Sequence, residues 1–374
     1  MPKITHRKKR LSSFKLIVLG FAGVIVLGAL ILMLPFSSTA GVVTPFHEAL
    51  FTSTSAVCVT GLVVQDTGSY WSAFGQTVIL LLIQIGGLGV VTVAALFAML
   101  SGRKISLMQR STMQDAISAP KVGGIVRLTR FIVRGTFLIE LIGMIVMLPT
   151  FCGNYGFKGI WMAAFHSVSA FCNAGFDILG TAENKYPSLT GYIGNPAINI
   201  TIMLLIIVGG IGFLTWDDIY TNKWHFKKYR MQSKVILVTT AILIIAPAVF
   251  FFFCDFTGLP LAERILASLF QSVTPRTAGF NTADLSAMTG SSKAIMTLLM
   301  LVGGSPGSTA GGMKTTTLAV LILSAFSVCR KKDDAEVCGR RIDGSAVKNA
   351  AAVNVFPAVF CRRHCYQHGR RSAA

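Results

Sequence analysis

The stretch SAFCNAGF, residues Ser169–Phe176, lies between an apolar segment of half a membrane span and a loop rich in Gly, Asn and Pro. A similar stretch, SAVCVTGL, occupies Ser55–Leu62, and a looser one, TPRTAGF, occupies Thr274–Phe280. Their glycines stand in register at Gly61, Gly175 and Gly279. One chain therefore carries the same short turn three times, which predicts a repeated architecture.

The composition places the chain among polytopic membrane proteins. Of its 374 residues, 53% are apolar and only 13% are charged, and the mean hydropathy is +0.65. The net charge of +19 does not indicate nucleic-acid binding, because the basic residues cluster in loops between apolar segments. The eight cysteines form no CxxC pair, which argues against a disulfide framework.

Apolar segments of two lengths alternate along the chain. A helix needs about 20 apolar residues to cross a bilayer. Segments of that length are Leu16–Pro35, Phe74–Leu100, Val126–Pro149, Pro196–Leu214, Val235–Phe253 and Lys293–Phe326. Segments of roughly half that length are Pro45–Ala56, Gly159–Phe171 and Leu261–Val273. The shorter segments are predicted to be re-entrant half-helices, because they are too short to span the bilayer.

The charges of the loops predict the orientation. Lys and Arg are abundant in the N-terminal segment, in the Arg103–Arg130 and Lys223–Lys234 loops, and after Phe326. The alternate loops are poor in them, and residues 36–76 contain none. We therefore expect a multi-pass protein of the cytoplasmic membrane, with the N-terminus in the cytoplasm and the half-helices entering from outside.

These features predict an all-α polytopic membrane protein with parallel repeats of span, pore half-helix and span around a central pore. Because all the repeats enter from the same side, they differ from inverted-repeat transporters. The predicted divisions are a basic cytoplasmic N-terminus at 1–15, repeats at 16–102, 126–216 and 234–328, a cytoplasmic loop at 329–353 and an atypical tail at 354–374.

The three turns are the candidate ion filter. Irregular backbone at membrane depth is tolerated where it is buried in protein or lines a water-filled cavity. Glycine lets the chain aim its carbonyl oxygens to one side, where they can replace the hydration shell of a cation. The candidate filter residues are Val59, Thr60, Gly61, Asn173, Ala174, Gly175, Thr277, Ala278 and Gly279. The alternative is that these are ordinary helix-linking turns.

Three longer stretches carry a resemblance to a known family. TSTSAVCVTGLVVQDT, FHSVSAFCNAGFD and LFQSVTPRTAGFNT resemble the Trk/Ktr family of potassium transporters, and in particular the membrane subunit of bacterial Ktr systems. The resemblance implies potassium uptake driven by the membrane potential, with sodium as a modulator and no covalently bound cofactor. It also implies a homodimer in the lipid bilayer, carried on a cytoplasmic ring of nucleotide-binding regulatory subunits.

The last long apolar segment is interrupted by LVGGSPGSTAGGMKTTT, Leu301–Thr317. Its proline and glycines cannot continue an ordinary helix. We predict an intramembrane gating loop, and the corresponding loop is considered the gate in the resembled family. The candidate gate residues are Gly303, Gly304, Ser305, Pro306, Gly307, Ser308, Gly311, Gly312 and Lys314. Lys314 either repels cations when the loop is closed or extends to the cytoplasmic edge.

Other polar residues in apolar segments have less specific roles. Glu140 is expected to pair across helices or to face the cavity, and the sequence favours the pair. His47 and His166 occupy matching places in two half-helices and are expected to pack rather than to bind an ion. Because TPRTAGF is typical of the resembled family, the Arg276 guanidinium is expected to hold loop carbonyls rather than to face the ion.

The resembled family has four repeats, and here only three are evident. GRRIDGSAVKNAAAV, Gly339–Val353, resembles the approach to a fourth, but the following tail has no span and no glycine turn. We expect a frameshift near Val353, which the genomic DNA would test. Zinc binding by Cys361, His364, Cys365 and His368 is the weaker alternative.

The function predicted is therefore potassium uptake through a backbone-carbonyl filter with a gating loop, in a chain that is truncated relative to the family. The alternative is a non-conducting membrane remnant or assembly subunit. An enzyme is not expected, because the membrane portion contains no paired carboxylates, Ser/His/Asp set or metal-ligand spacing.

Overall fold

Helices form almost all of the regular structure in the computed structural model, which describes residues 13–101, 106–117, 123–331, 336–337, 340–341 and 343–352. The helices are α1 Ser13–Leu32, α2 Phe46–Val57, α3 Ala73–Leu88, α4 Val90–Leu100, α5 Leu107–Ile117, α6 Ile125–Tyr155, α7 Lys158–Phe171, α8 Pro196–Gly210, α9 Phe213–Asn222, α10 Met231–Cys254, α11 Leu261–Val273, α12 Gly290–Leu301 and α13 Thr315–Cys329. Two two-residue strands, β1 Glu336–Val337 and β2 Arg340–Arg341, pair antiparallel, and residues 344–352 are helical.

In the part of the chain that the structure describes, three helices, α1, α6 and α10, are long and apolar enough to cross a membrane by themselves. Most of their side chains are not buried against the rest of the chain; in the most apolar window of α1 only 17% of residues are buried. Apolar side chains on the outside of a folded chain are stable when they face hydrocarbon. These helices therefore fit a lipid-exposed position.

A short helix follows and packs on each of these long helices: α2 on α1, α7 on α6 and α11 on α10. The first two pairs use the same contact, because a glycine of the long helix faces a serine of the short one. Ser53 Oγ donates to Ile25 O at 2.7 Å beside Gly28, and Ser167 Oγ donates to Glu140 O at 2.6 Å beside Gly143. Small residues let the helix backbones approach closely inside a membrane.

The structure differs from the expected continuous spans over Phe74–Leu100 and Pro196–Leu214. Helices α3 and α4 meet at 96°, and α8 and α9 meet at 98°. The bends occur at Gly89, with φ +82°, and at Gly212, with φ +91°. Because glycine enters this region of φ without a Cβ clash, the glycine clusters break the helix there.

The last pair, α12 and α13, is separated by a longer interruption at residues 302–314. Thr289 caps the N-terminus of α12, because its side chain accepts a hydrogen bond from the amide of Ser292. It ends where Val302 pairs with Met313 in a single parallel bridge. The interruption is thus a loop whose two ends are paired by backbone hydrogen bonds.

Contacts divide the chain into two units. One contains the described residues up to Gly209 together with Ala278–Ala283, and the other contains Gly210–Thr277 and the described residues from Asp284 onward. The short segment Ala278–Ala283 includes the third glycine turn. All three turn glycines therefore belong to the first unit, and the loop at 302–314 belongs to the second.

Candidate functional site

The three turns share an uncommon backbone. Each has a residue with positive φ two positions before its glycine: Val59 at +56°, Asn173 at +59° and Thr277 at +99°. The glycines are at +74°, +70° and +87° in the same order. Positive φ is uncommon outside glycine and is an outlier for β-branched residues such as Val59 and Thr277. Such strained conformations cluster at functional sites.

The glycines of the three turns lie in contact within the first unit. A Cβ added at Gly61 would lie 2.5 Å from the carbonyl oxygen of Ala174. A Cβ added at Gly175 would clash with the carbonyl oxygen of Ala278, and one at Gly279 would lie 3.9 Å from the Cα of Gly175. The turns, far apart in sequence, therefore lie side by side, and only glycine fits at the first two positions.

Hydrogen bonding leaves carbonyl oxygens available in these turns. The amide of Thr60 donates to Ser55 O at 2.9 Å, and the amide of Ala174 donates to Ser169 O at 2.8 Å. These donors thus point back to the ends of α2 and α7. Within the described ranges, the carbonyl oxygens of Thr60, Ala174 and Ala278 accept no hydrogen bond. Unpaired carbonyls at membrane depth are the groups that can coordinate a desolvated cation.

Buried side chains hold the second turn in place. Ser169 Oγ donates to Phe176 O at 2.7 Å, across the turn. Asn173 Nδ2 donates to Ile206 O at 3.4 Å. His166 is fully buried, with Nδ1 at 2.8 Å from Met162 O and its ring stacked on Phe151 at 5.2 Å. The matching His47 does not pack in this way, because its side chain is 82% exposed.

The loops that follow the first and second turns are joined by a buried carboxylate that the sequence analysis did not identify. Asp66 is 4% exposed and accepts hydrogen bonds from the amide and hydroxyl of Ser69 at 2.8 and 2.7 Å. It also accepts from the amide of Tyr186 at 3.0 Å, which joins the first loop to the second. The signal available in the sequence was an isolated acid in a stretch without Lys or Arg.

Glu140, on α6, pairs across helices. Its Oε2 accepts a hydrogen bond from Gln84 Nε2 on α3 at 3.3 Å, and Glu140 is 5% exposed. Gln84 Oε1 in turn faces Cys172 Sγ at 3.8 Å. This chain links α6 and α3 to the end of α7, where the second turn begins.

The loop at 302–314 is closely hydrogen-bonded to itself. The amide of Gly303 donates to Met313 O at 2.9 Å, and the amide of Gly304 donates to Gly311 O at 3.2 Å. The hydroxyls of Ser305 and Thr315 lie 2.9 Å apart. A Cβ added at Gly303 or at Gly304 would clash with the opposite side of the loop. The glycines therefore allow the two sides of the loop to meet.

The same loop packs against the bend between α8 and α9. Ser305 donates its amide to Gly210 O at 2.9 Å, and Phe213 donates its amide to Gly307 O at 2.7 Å. A Cβ added at Gly212 would lie 2.7 Å from Pro306 O. The bend and the loop thus form one backbone-packed unit.

Two basic side chains bind carbonyls of this loop. Arg276 is 8% exposed, and its Nη2 donates to Gly303 O at 3.4 Å. It comes directly before Thr277, whose Cγ2 would lie 3.7 Å from a Cβ added at Gly312. Lys314 Nζ donates to Ala310 O at 2.9 Å. The structure therefore brings Arg276 to a loop carbonyl, and Lys314 points back to its own loop.

Other candidate features are absent or lie elsewhere. Among the described residues there is no group of His, Cys, Asp or Glu that could hold a metal ion. The cysteine and histidine cluster from Cys361 to His368 and the atypical tail at 354–374 lie outside the described residues.

Comparison with known proteins gives a consistent result. The family model described as TrkH, cation transport protein, matches residues 14–361. The potassium/sodium uptake protein NtpJ of Enterococcus hirae is 40% identical, over 92% of this chain and 76% of that protein. The Ktr system potassium uptake protein B of Bacillus subtilis is 37% identical, over 91% of this chain and 76% of that protein.

A solved structure shares the fold. The crystal structure of the potassium transporter TrkH from Vibrio parahaemolyticus superposes with a TM-score of 0.71. The match covers 96% of this chain and 71% of that chain, at 17% sequence identity. At this identity the likeness is one of architecture.

Proposed function

Because the chain belongs to the TrkH family of cation transport proteins, we propose that it takes up potassium across the cell membrane. The observation that carries the proposal is the contact of three strained glycine turns, in which the carbonyl oxygens of Thr60, Ala174 and Ala278 accept no hydrogen bond from the residues that the structure describes. A desolvated potassium ion needs such oxygens in place of its water shell. The names of the relatives from Enterococcus hirae and Bacillus subtilis support potassium as the substrate. The name of the first relative also includes sodium beside potassium, and we keep sodium as a proposed modulator on the family resemblance alone.

In this proposal the filter is formed by backbone rather than by side chains. The carbonyls of Val59–Gly61, Asn173–Gly175 and Thr277–Gly279 face the ion. The half-helices α2, α7 and α11 end at these turns, so their partial negative charge favours a cation there. The alternating positive φ values support this arrangement, because they rotate successive peptide groups without a helix.

The loop at 302–314 is proposed as the gate. Its backbone is held by hydrogen bonds to itself and to the α8–α9 bend, which a rearrangement can exchange. Replacement of Gly303–Gly312 by a rigid helical sequence should abolish regulation of uptake. If flux and its regulation were both unchanged, this loop would not be the gate.

We infer the membrane orientation of the chain from the distribution of Lys and Arg among its loops. We place the N-terminus and every second loop in the cytoplasm and the half-helices on the outer side. The three repeats are assigned to 16–102, 126–216 and 234–328, with the loop at 329–353 in the cytoplasm. Each contains one long helix, one half-helix and one broken helix, which supports a parallel repeat.

The partners are proposed from the family resemblance. We expect a homodimer in the lipid bilayer and a cytoplasmic ring of nucleotide-binding regulatory subunits. Co-purification from a native membrane, followed by mass determination of the intact complex, tests both expectations.

Rubidium tracer uptake in a potassium-uptake-deficient host tests the function. Cells that express this chain are compared with cells that carry an empty vector, with the amount of the chain in the membrane measured. Uptake above the vector, inhibited by excess potassium, supports transport. Protein in the membrane without uptake supports the alternative of a non-conducting subunit.

A further inference from the structure

A basic cavity lies at the N-terminus of α6, away from the candidate filter residues. The cavity has a volume of about 400 Å³ and is lined by Arg110, Arg127 and Arg130, with Gly124, Ile125 and Val126. Helix α5 provides Arg110, and the first two turns of α6 provide the other two arginines. Three guanidinium groups at one cavity favour an anion with several oxygens.

The local backbone adds to this preference. Gly124 precedes α6 and supplies no side-chain cap, and the first turn of the helix contains no acidic residue. The first amides of a helix lack intrahelical acceptors and favour a phosphate. Arg110, Arg127 and Arg130 are exposed and make no ion pair with any residue in the described ranges.

A second, apolar cavity also borders α5. It has a volume of about 490 Å³ and is formed by α1, α4 and α5. Gly20, Ala94 and Ala98 leave room in it, and Leu16, Val91 and Met113 make its wall apolar. Arg110 and the groove residue Gln109 are neighbours on α5. A basic cavity and an apolar groove thus share one helix.

We propose that this pair of cavities binds one anionic phospholipid. Its phosphate contacts the three arginines and the amides of the first turn of α6, and an acyl chain occupies the groove. The arginine-rich loop is expected in the cytoplasm, where the leaflet is rich in anionic lipid and basic pockets between helices bind such headgroups. The inference does not depend on which ion is transported, because it concerns a surface outside the turns.

Native mass spectrometry of the purified full chain tests the proposal. Phosphatidylglycerol and phosphatidylcholine with the same acyl chains are added at graded concentrations. We expect phosphatidylglycerol to bind about tenfold more tightly. Equal affinity for the two lipids would overturn the proposal.

Two kinds of variant separate headgroup from chain. The triple variant R110Q/R127Q/R130Q should lower phosphatidylglycerol affinity about tenfold and leave phosphatidylcholine binding unchanged. The control K227Q/K228Q/R330Q removes the same charge elsewhere and should change affinity by less than about twofold. Ala94→Phe fills the groove and should weaken the binding of phosphatidylglycerol. It should not change the ability of glycerol 3-phosphate to compete for the basic cavity.

The other possible occupants give different results. If glycerol 3-phosphate displaces phosphatidylglycerol fully and Ala94→Phe has no effect, the site binds free phosphate, and the proposal fails. If the arginine variant changes the oligomeric mass but not lipid binding, the surface contacts a second copy of the chain, and the proposal also fails. Lipid binding is measured without flux, so failure here leaves the transport proposal standing.

Discussion

The three glycine turns and the loop at 302–314 are both irregular backbone between apolar helices, yet their carbonyl oxygens are used differently. In the turns, the carbonyls of Thr60, Ala174 and Ala278 accept no hydrogen bond within the described ranges. In the loop, Gly304 O accepts from the amide of Thr315, and Gly307 O accepts from that of Phe213.

The difference matters because it decides which partner each carbonyl oxygen can take. Burying an unpaired carbonyl oxygen in a low-dielectric region costs free energy unless an ion or a water molecule binds to it. A paired carbonyl keeps its loop folded until another donor replaces the first. The turns therefore suit ion coordination, and the loop suits movement. The predictions below test this division, beginning with the largest effect.

Gly175→Ala should have the largest effect. The added Cβ would clash with Ala278 O, and φ of +70° is unfavourable for alanine. We expect rubidium uptake to fall about tenfold or more and discrimination against sodium to weaken. Tracer uptake per amount of membrane protein measures both quantities.

Gly153→Ala is the matched control, because its added Cβ meets nothing within 4 Å. It should keep normal uptake. Normal uptake and selectivity in Gly175→Ala would show that the turns do not contact the ion.

Gly212→Ala and Gly89→Ala compare the two bends. Both glycines have positive φ, but only Gly212 faces the loop. A Cβ added at Gly212 would lie 2.7 Å from the carbonyl oxygen of Pro306. We expect Gly212→Ala to change the rate of uptake about fivefold, and Gly89→Ala about twofold, without loss of selectivity. Equal effects would mean that the loop contact at Gly212 does not influence uptake.

Arg276→Gln tests the hydrogen bond between Arg276 and the loop at 302–314. Loss of the Nη2 contact with Gly303 O frees one anchor of the loop. Because a hydrogen bond contributes about 1 kcal/mol, we expect a rise of about fivefold in the uptake rate. Rubidium uptake at saturating concentration measures it, with the exposed Arg134→Gln as the control.

If Arg276 faced the ion instead, Arg276→Gln would change the selectivity between rubidium and sodium. That result would exclude an anchoring role.

Lys314→Gln should have the smallest effect. The substitution removes a charge and the bond from Nζ to Ala310 O. If the charge repels cations, uptake rises about twofold in Lys314→Gln but not in Lys314→Arg. Equal uptake in both variants would mean that the lysine only extends to an edge or stabilises the loop.

Local sequence patterns were sufficient to locate many of the elements. Apolar length distinguished α1, α6 and α10 from the half-helices α2, α7 and α11, because a bilayer has a fixed thickness. Proline and clustered glycines located the interruption at 302–314, because these residues destabilise a helix wherever they occur.

The sharp bends at Gly89 and Gly212 could not be predicted from the sequence. QIGGLGV and IVGGIGF contain glycines that an unbroken helix also tolerates, so continuous spans were expected there. Only the packed chain shows φ of +82° at Gly89 and +91° at Gly212. Asp66 was missed for the same reason, since its partner Tyr186 is distant in sequence.

The sequence by itself determined the membrane class, the two lengths of helix and the three glycine turns, because length, polarity and backbone freedom are local properties. Only the tertiary structure decided that Gly61, Gly175 and Gly279 lie in contact and that Arg276 meets the loop carbonyl. These contacts join atoms of segments that are distant in sequence, and the positions of those segments depend on the packing of several helices together.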